Sequence, residues 1–114
     1  MNIQEATKAL TESIRESAEY KIYRQAKEAI DDDAALAGLI REYKKMQTSL
    51  QMRVFTGAGA SDDEAKRFQQ LSGLLFSDAR TNAYLIAEMN LQKLMAGIFQ
   101  ALTNAADMDI PMPV

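Results

Sequence analysis

"AALAGLIREYKKMQTSLQMRVFTGAGASDDEA", residues 34–65, joins a long run of helix-forming residues to the clearest break in the chain. Its apolar side chains recur every three or four residues, which predicts an amphipathic helix over about 34–55. The two glycines of "TGAGAS", residues 56–61, favour a left-handed helix end. Ser61 followed by Glu64 is the pattern of a capping box, so a second helix is expected to start there. The stripe that we expect the first of these helices to bury consists of Leu36, Leu39, Ile40, Tyr43, Met46, Leu50 and Val54.

The same spacing rule predicts three more helices. They cover about 3–16, about 18–30 with Ser17 as its N-cap, and about 79–105. With the helix that runs from Ser61 to about Phe76, the chain is predicted to be all-α with about five helices. We expect the two long ones to form an antiparallel bundle within a single domain over residues 1–106, and residues 107–114 to form a short tail.

The last predicted helix carries a heptad-like seam in which apolar residues recur alternately three and four positions apart. One interpretation is that the whole seam is core of the same chain. The other is that part of it contacts a second copy, which makes Tyr84, Leu91, Leu94 and Ile98 a candidate homodimer interface.

The composition excludes several function classes. The 114 residues include no cysteine and no histidine, which removes disulfides, a cysteine nucleophile, and the commonest general base and metal ligand. The net charge is −3 and neither half is basic, which disfavours a broad nucleic-acid surface. No apolar run approaches the roughly 20 residues of a membrane span. Glu5 and Lys8 stand where a signal peptide needs an apolar core, so we expect a cytoplasmic protein without membrane contact.

Two acidic runs invite a metal interpretation. The run Asp31–Asp33 offers carboxylates that suit magnesium or calcium, but adjacent positions do not converge on one ion in a regular helix, and calcium-loop spacing is missing. We expect one of these aspartates to cap the next helix. Asp62–Glu64 is explained by the capping box, and Asp63 is spaced for an ion pair with Arg67 one turn on. We predict no metal, no cofactor and no catalytic residue.

A small basic cluster lies on the predicted helix 34–55. Arg41, Lys44 and Lys45 fit a solvated helix face. They also fit a patch for an acidic partner or for an RNA backbone. No platform of stacking aromatic residues accompanies them, which makes nucleic acid the less favoured ligand.

Four short motifs, in this order and spacing, resemble the YlbF/YmcA/YheA family of small bacterial helical proteins. They are the S-x-E-Y helix start Ser17–Tyr20, the aspartate-rich boundary Asp31–Asp33, the Q-x-x-L-Q helix end Gln47–Gln51 and the Y-L-x-A-E motif Tyr84–Glu88. The resemblance covers about residues 5–105.

The resemblance implies an all-helical, dimeric fold without catalytic residues. It also implies an accessory role in a complex that modulates the endoribonuclease RNase Y and mRNA processing, with effects on competence, sporulation and biofilm formation. Some family members are linked to an iron–sulphur cluster through cysteines. This chain has none, so no cofactor is expected and the YheA-like branch is favoured. We therefore expect a non-enzymatic cytoplasmic regulator or adaptor that acts through protein contacts. Direct RNA binding by Arg41, Lys44 and Lys45 is the alternative.

Overall fold

The computed structural model describes residues 1–59 and 61–109, and that part of the chain is helical with no strand. The all-α class is thereby confirmed, and each helix boundary lies within one residue of the predicted one. The antiparallel bundle and the dimer stay predictions. The helices are α1, Ile3–Glu16; α2, Ala18–Asp31; α3, Ala34–Thr56; α4, Asp62–Phe76; and α5, Ala79–Ala105.

Local capping interactions fix three of these helix starts. Ser17, Asp33 and Ser61 each accept a hydrogen bond from the backbone N–H three residues on, at 3.1–3.2 Å. Each bond satisfies one of the amide donors that have no partner inside the helix. At the other end of α3, Gly57 adopts φ 80°, the left-handed conformation that glycine takes without steric cost. The predicted caps of α2 and α4 are thus confirmed, and Asp33 is the aspartate that caps α3.

The chain divides into two compact units, and the division falls within α2 and within α5. The first unit contains Met1–Ala26 and the chain from Tyr84 on, and the second contains Lys27–Ala83. The single domain predicted over residues 1–106 stays a prediction. Residues 107–109 follow the end of α5, and the rest of the predicted tail lies outside the described residues.

In the second unit, α3 packs against α4 around one aromatic cluster. The Tyr43 ring stacks on Phe68 with centroids 5.2 Å apart and meets the edge of Phe76 at 6.0 Å. Leu75, which precedes Phe76 in α4, is fully buried. Val54 departs from the predicted buried stripe because it lies in the last turn of α3, where the helix end leaves it 74 % exposed.

In the first unit, α2 and α5 meet through two tyrosines. The rings of Tyr23 and Tyr84 are 5.8 Å apart, and Tyr84 is only 6 % exposed. Helix α1 belongs to the same unit, but none of its residues is buried. Its apolar Ile3 is 80 % exposed, whereas Leu10 and Ile14 are half-buried. This unit therefore keeps apolar helix surface open to solvent.

Candidate interaction surfaces

Two of the three adjacent aspartates, Asp31 and Asp33, make contacts that belong to the fold. The Asp33 carboxylate caps α3 and lies 3.2 Å from the Arg80 guanidinium, and Asp31 lies 3.3 Å from the Lys27 ammonium. Within residues 1–59 and 61–109, no group of three or more acidic side chains is arranged to hold a metal ion. The observed bonds of Asp31 and Asp33 agree with the capping interpretation.

Arg80 links the starts of two helices in the second unit. Its guanidinium contacts Asp78 at 2.9 Å, immediately before α5, as well as Asp33 before α3. Hydrogen bonds from the side chain and backbone of Arg80 lower the pKa of the Asp78 carboxyl, and Asp78 in turn raises the pKa of Arg80. Arg80 thus joins the residues that precede α3 and α5 through two partly exposed ion pairs.

The predicted basic face lies in an open, shallow groove along α3, and all the residues that line this groove belong to α3. Arg41, Lys44 and Lys45 all line it, so the structure brings the three candidate residues together. The groove has a volume of about 980 Å³ and continues past Met52 to the end of the helix. Arg41 and Lys45 are exposed, whereas Lys44 is half-buried.

The acidic side chains near this groove are engaged by arginines. Glu42 pairs with Arg67 of α4, and Glu64 pairs with Arg53. The Glu64 carboxylate also accepts a hydrogen bond from the Ser61 hydroxyl at 3.1 Å. The predicted local partner of Arg67 was Asp63, so the tertiary contact between α3 and α4 takes its place. These pairs neutralise both carboxylates together with Arg53, so the exposed Arg41 and Lys45 make the groove positively charged.

The candidate dimer residues on α5 fall into two groups. Tyr84 is buried in the first unit, and its hydroxyl donates a hydrogen bond to Glu88 at 2.9 Å. Burial, followed by the bonds to Glu88 and Tyr23, raises the Tyr84 pKa. Leu91, Leu94 and Ile98 are half-buried and remain partly accessible.

The sequence pattern missed other apolar surface on α5. Ile86, Met89, Met95 and Leu102 are 45–57 % exposed and lie off the predicted seam. A helix that is apolar on more than one side normally has neighbours on more than one side. This property was visible in the sequence as a scarcity of charge, since Glu88 and Lys93 are the only charged residues in 81–105.

A cleft between α2 and α5 lies in the same unit. It has a volume of about 510 Å³, with Ile22 and Leu94 as apolar lining and Glu19 and Lys93 as charged lining. Ile22 is 56 % exposed. One candidate seam residue, Leu94, therefore faces an open cleft.

None of the helices in the described part of the chain combines the length and the apolar character needed to cross a membrane.

Comparison with known proteins identifies the family. The family model described as "Control of competence regulator ComK, YlbF/YmcA" matches residues 3–106. The chain belongs to the Com_YlbF family. The resemblance deduced from the four motifs is thereby confirmed.

Among Com_YlbF relatives, the chain is similar to bacterial UPF0342 proteins. It is 29 % identical over 103 residues to one from Symbiobacterium thermophilum, which covers 90 % of this chain and 92 % of the relative. A second, from Caldicellulosiruptor saccharolyticus, is 28 % identical over 107 residues, covering 94 % and 89 %. A third, from Streptococcus uberis, is 28 % identical over 102 residues, covering 90 % and 91 %.

A solved structure shares the fold. It is a protein of unknown function (DUF964) from Bacillus stearothermophilus, with a TM-score of 0.73, 17 % identity and 92 % of each chain covered. At this identity the likeness shows the fold alone.

Proposed function

We propose that this chain is a non-enzymatic cytoplasmic regulator that works as a homodimer through protein contacts. The observation that carries the proposal is the Com_YlbF match over residues 3–106, because the description of that family is control of the competence regulator ComK. The lack of cysteine and histidine supports the non-enzymatic part. The process we propose is RNase Y-dependent mRNA processing, with effects on competence, sporulation or biofilm formation.

The test of partnership is copurification from the native host. A tagged chain should recover specific proteins above the background of an untagged strain, and components of an RNA-processing assembly should be among them. If no protein is enriched, the adaptor role is wrong.

The homodimer proposal rests on α5, which carries few charges and exposes apolar side chains. Charge depletion with exposed methionine is typical of the centre of a protein interface. Light scattering at roughly tens of micromolar protein should give a dimer, since association depends on protomer concentration. Leu91→Glu should give a monomer, and the matched control Gln92→Glu, which changes an exposed neighbour, should remain a dimer. A wild-type monomer would contradict the proposal.

Direct RNA binding is the second candidate, because Arg41, Lys44 and Lys45 line one groove. Binding through phosphate contacts should weaken steeply as salt is raised. A gel shift with single-stranded RNA that is lost when all three residues become glutamate would favour this function over the first.

A further inference from the structure

We propose that the outer groove of α3 docks an acidic amphipathic helix of a partner protein. The inference deepens the proposed function, on which it rests, by naming the surface and the chemistry of the partner. The surface is a stripe, called here the outer stripe, that consists of the groove residues Arg41, Lys45, Thr48 and Met52 and of the exposed Phe55 beside them on α3.

The outer stripe has the geometry of a helix-binding surface. Its members follow one another at spacings of four, three, four and three, so they lie along one side of α3. Tyr43, which packs on α4, lies two residues from both Arg41 and Lys45, or about 200° around the helix axis. The outer stripe therefore faces away from the contact with α4. From residue 41 to residue 56 the groove is about 22 Å long, which accommodates about four turns of a partner helix.

Charge identifies the chemistry of the occupant. Helix α3 contains four basic residues and one acidic residue, for a net charge of +3, whereas the whole chain has a net charge of −3. Glu42 already pairs with Arg67, and Arg53 pairs with Glu64, so the exposed Arg41 and Lys45 carry the positive charge of the outer stripe. A surface of this sign attracts an acidic partner and disfavours a basic one.

The apolar part of the outer stripe favours a protein helix over an RNA backbone. Met52 is 64 % exposed and Phe55 is 91 % exposed at the carboxyl end of the stripe. Exposed aromatic side chains are common anchors of protein interfaces, and methionine adapts to varied apolar partners. The aliphatic stems of Arg41 and Lys45 add apolar surface below their charges. An amphipathic helix matches this order, with acidic residues near Arg41 and Lys45 and apolar residues near Met52 and Phe55.

A second copy of this chain is a poorer match for the groove. None of the other four helices has a net charge below −1. Two of the carboxylates that could serve, Asp33 and Glu64, are engaged by a helix start and by arginines. The occupant is thus a separate acidic protein segment.

The test uses the full chain and three fluorescent peptides of about 15 residues. On one helical face the probe peptide carries glutamate in one half and leucine in the other half, and it has alanine on its remaining faces. One control peptide has the same composition in scrambled order, and the other has lysine in place of every glutamate. In fluorescence anisotropy the probe should bind at least about tenfold more tightly than either control, because only the probe matches both charge and apolar spacing.

Matched variants locate the binding surface. Arg41→Glu/Lys45→Glu should weaken binding of the probe at least about tenfold, whereas Lys8→Glu/Lys21→Glu, with the same charge change in the other unit, should change it by less than about twofold. Phe55→Ser should weaken binding by about tenfold, and its neighbour Val54→Ser, on the other side of α3, should have little effect. Both residues are exposed, so neither change should unfold the chain.

Each alternative occupant of the groove predicts a different experimental result. If the scrambled peptide binds as well as the probe, the groove recognises charge alone and the proposal is wrong. If single-stranded RNA binds through Arg41 and Lys45 and the probe does not, the surface is a nucleic-acid site. If the α3 variants abolish dimer formation, the occupant is a second copy. Copurified partners that are recovered equally by wild type and by Arg41→Glu/Lys45→Glu would preserve the proposed function and overturn this inference.

Discussion

Replacing Asp33 by alanine separates a capping role of the aspartate run from a metal-binding one. The Asp33 carboxylate accepts the Leu36 N–H at 3.1 Å and lies 3.2 Å from Arg80. Loss of an aspartate N-cap typically costs about 1 kcal/mol. The contact with Arg80 is partly exposed and adds little. We therefore expect Asp33→Ala to lower the free energy of unfolding by about 1 kcal/mol.

The neighbouring aspartate provides the control. Asp32 is exposed, so Asp32→Ala should change the free energy of unfolding by less than about 0.5 kcal/mol. Asp33→Asn keeps an oxygen that accepts the Leu36 N–H, and it should stay close to wild type. If Asp33→Ala is destabilised and Asp33→Asn is not, the effect comes from loss of the capping hydrogen bond and not from loss of the charge.

Urea unfolding followed by far-UV circular dichroism measures these differences. A change of 1 kcal/mol shifts the midpoint by roughly 0.5–1 M for a small protein. Equal losses for Asp32→Ala and Asp33→Ala would refute the capping argument. So would a stabilisation of the wild type by millimolar Mg²⁺ that disappears in Asp33→Ala.

Three further experiments test features of the interior and the backbone. Thr81→Val should raise the free energy of unfolding, measured with urea, by about 1 kcal/mol, because the Thr81 hydroxyl is fully buried and has no hydrogen-bond partner in the described part of the chain. A loss of stability would show that the hydroxyl does have a partner. Gly57→Ala should lower the free energy of unfolding by about 1 kcal/mol, because Gly57 has φ 80°, whereas Gly73→Ala, within α4 and facing open space, should raise it by about 0.5 kcal/mol. Similar effects at both sites would exclude the left-handed helix end as the cause. The raised pKa of Tyr84 means that, as the pH rises, the phenol loses its proton in the unfolded chain before it does so in the folded one. The free energy of unfolding should therefore hold below pH 10 and fall above it. In Tyr84→Phe it should fall less steeply between pH 10 and pH 11, and a slope identical to that of the wild type would contradict this.

Local interactions explain why the sequence predicted the helices so closely. Ser17, Asp33 and Ser61 each bond to a backbone amide only three residues away, so the residue types alone mark the helix starts. Gly57 marks a helix end for a similarly local reason. The basic cluster on α3 also follows from sequence, because helical spacing brings Arg41 and Lys45 to one side.

Long-range contacts explain what the sequence could not predict. Arg67 has a local acidic neighbour in Asp63, yet the packing of α3 on α4 places it against Glu42. Val54 continues the apolar spacing of α3 but lies in its last turn and stays exposed. The burial of Thr81 likewise depends on tertiary packing, and no residue-type pattern indicates it. Spacing therefore assigns residues to a side of a helix, but it does not tell which part of that side is covered.

Salt concentration should separate the two proposed contacts. Association through α5 is apolar, since residues 81–105 carry only two charged side chains, and screening should affect it little. Docking on α3 relies on Arg41 and Lys45, which are exposed and strongly screened at about 1 M salt, where the Debye length is roughly 3 Å. Raising the salt from about 0.05 M to about 1 M should leave the dimer intact in light scattering and weaken binding of the acidic peptide severalfold. If the dimer dissociates over this range while the peptide stays bound, the roles assigned to the two helices are reversed.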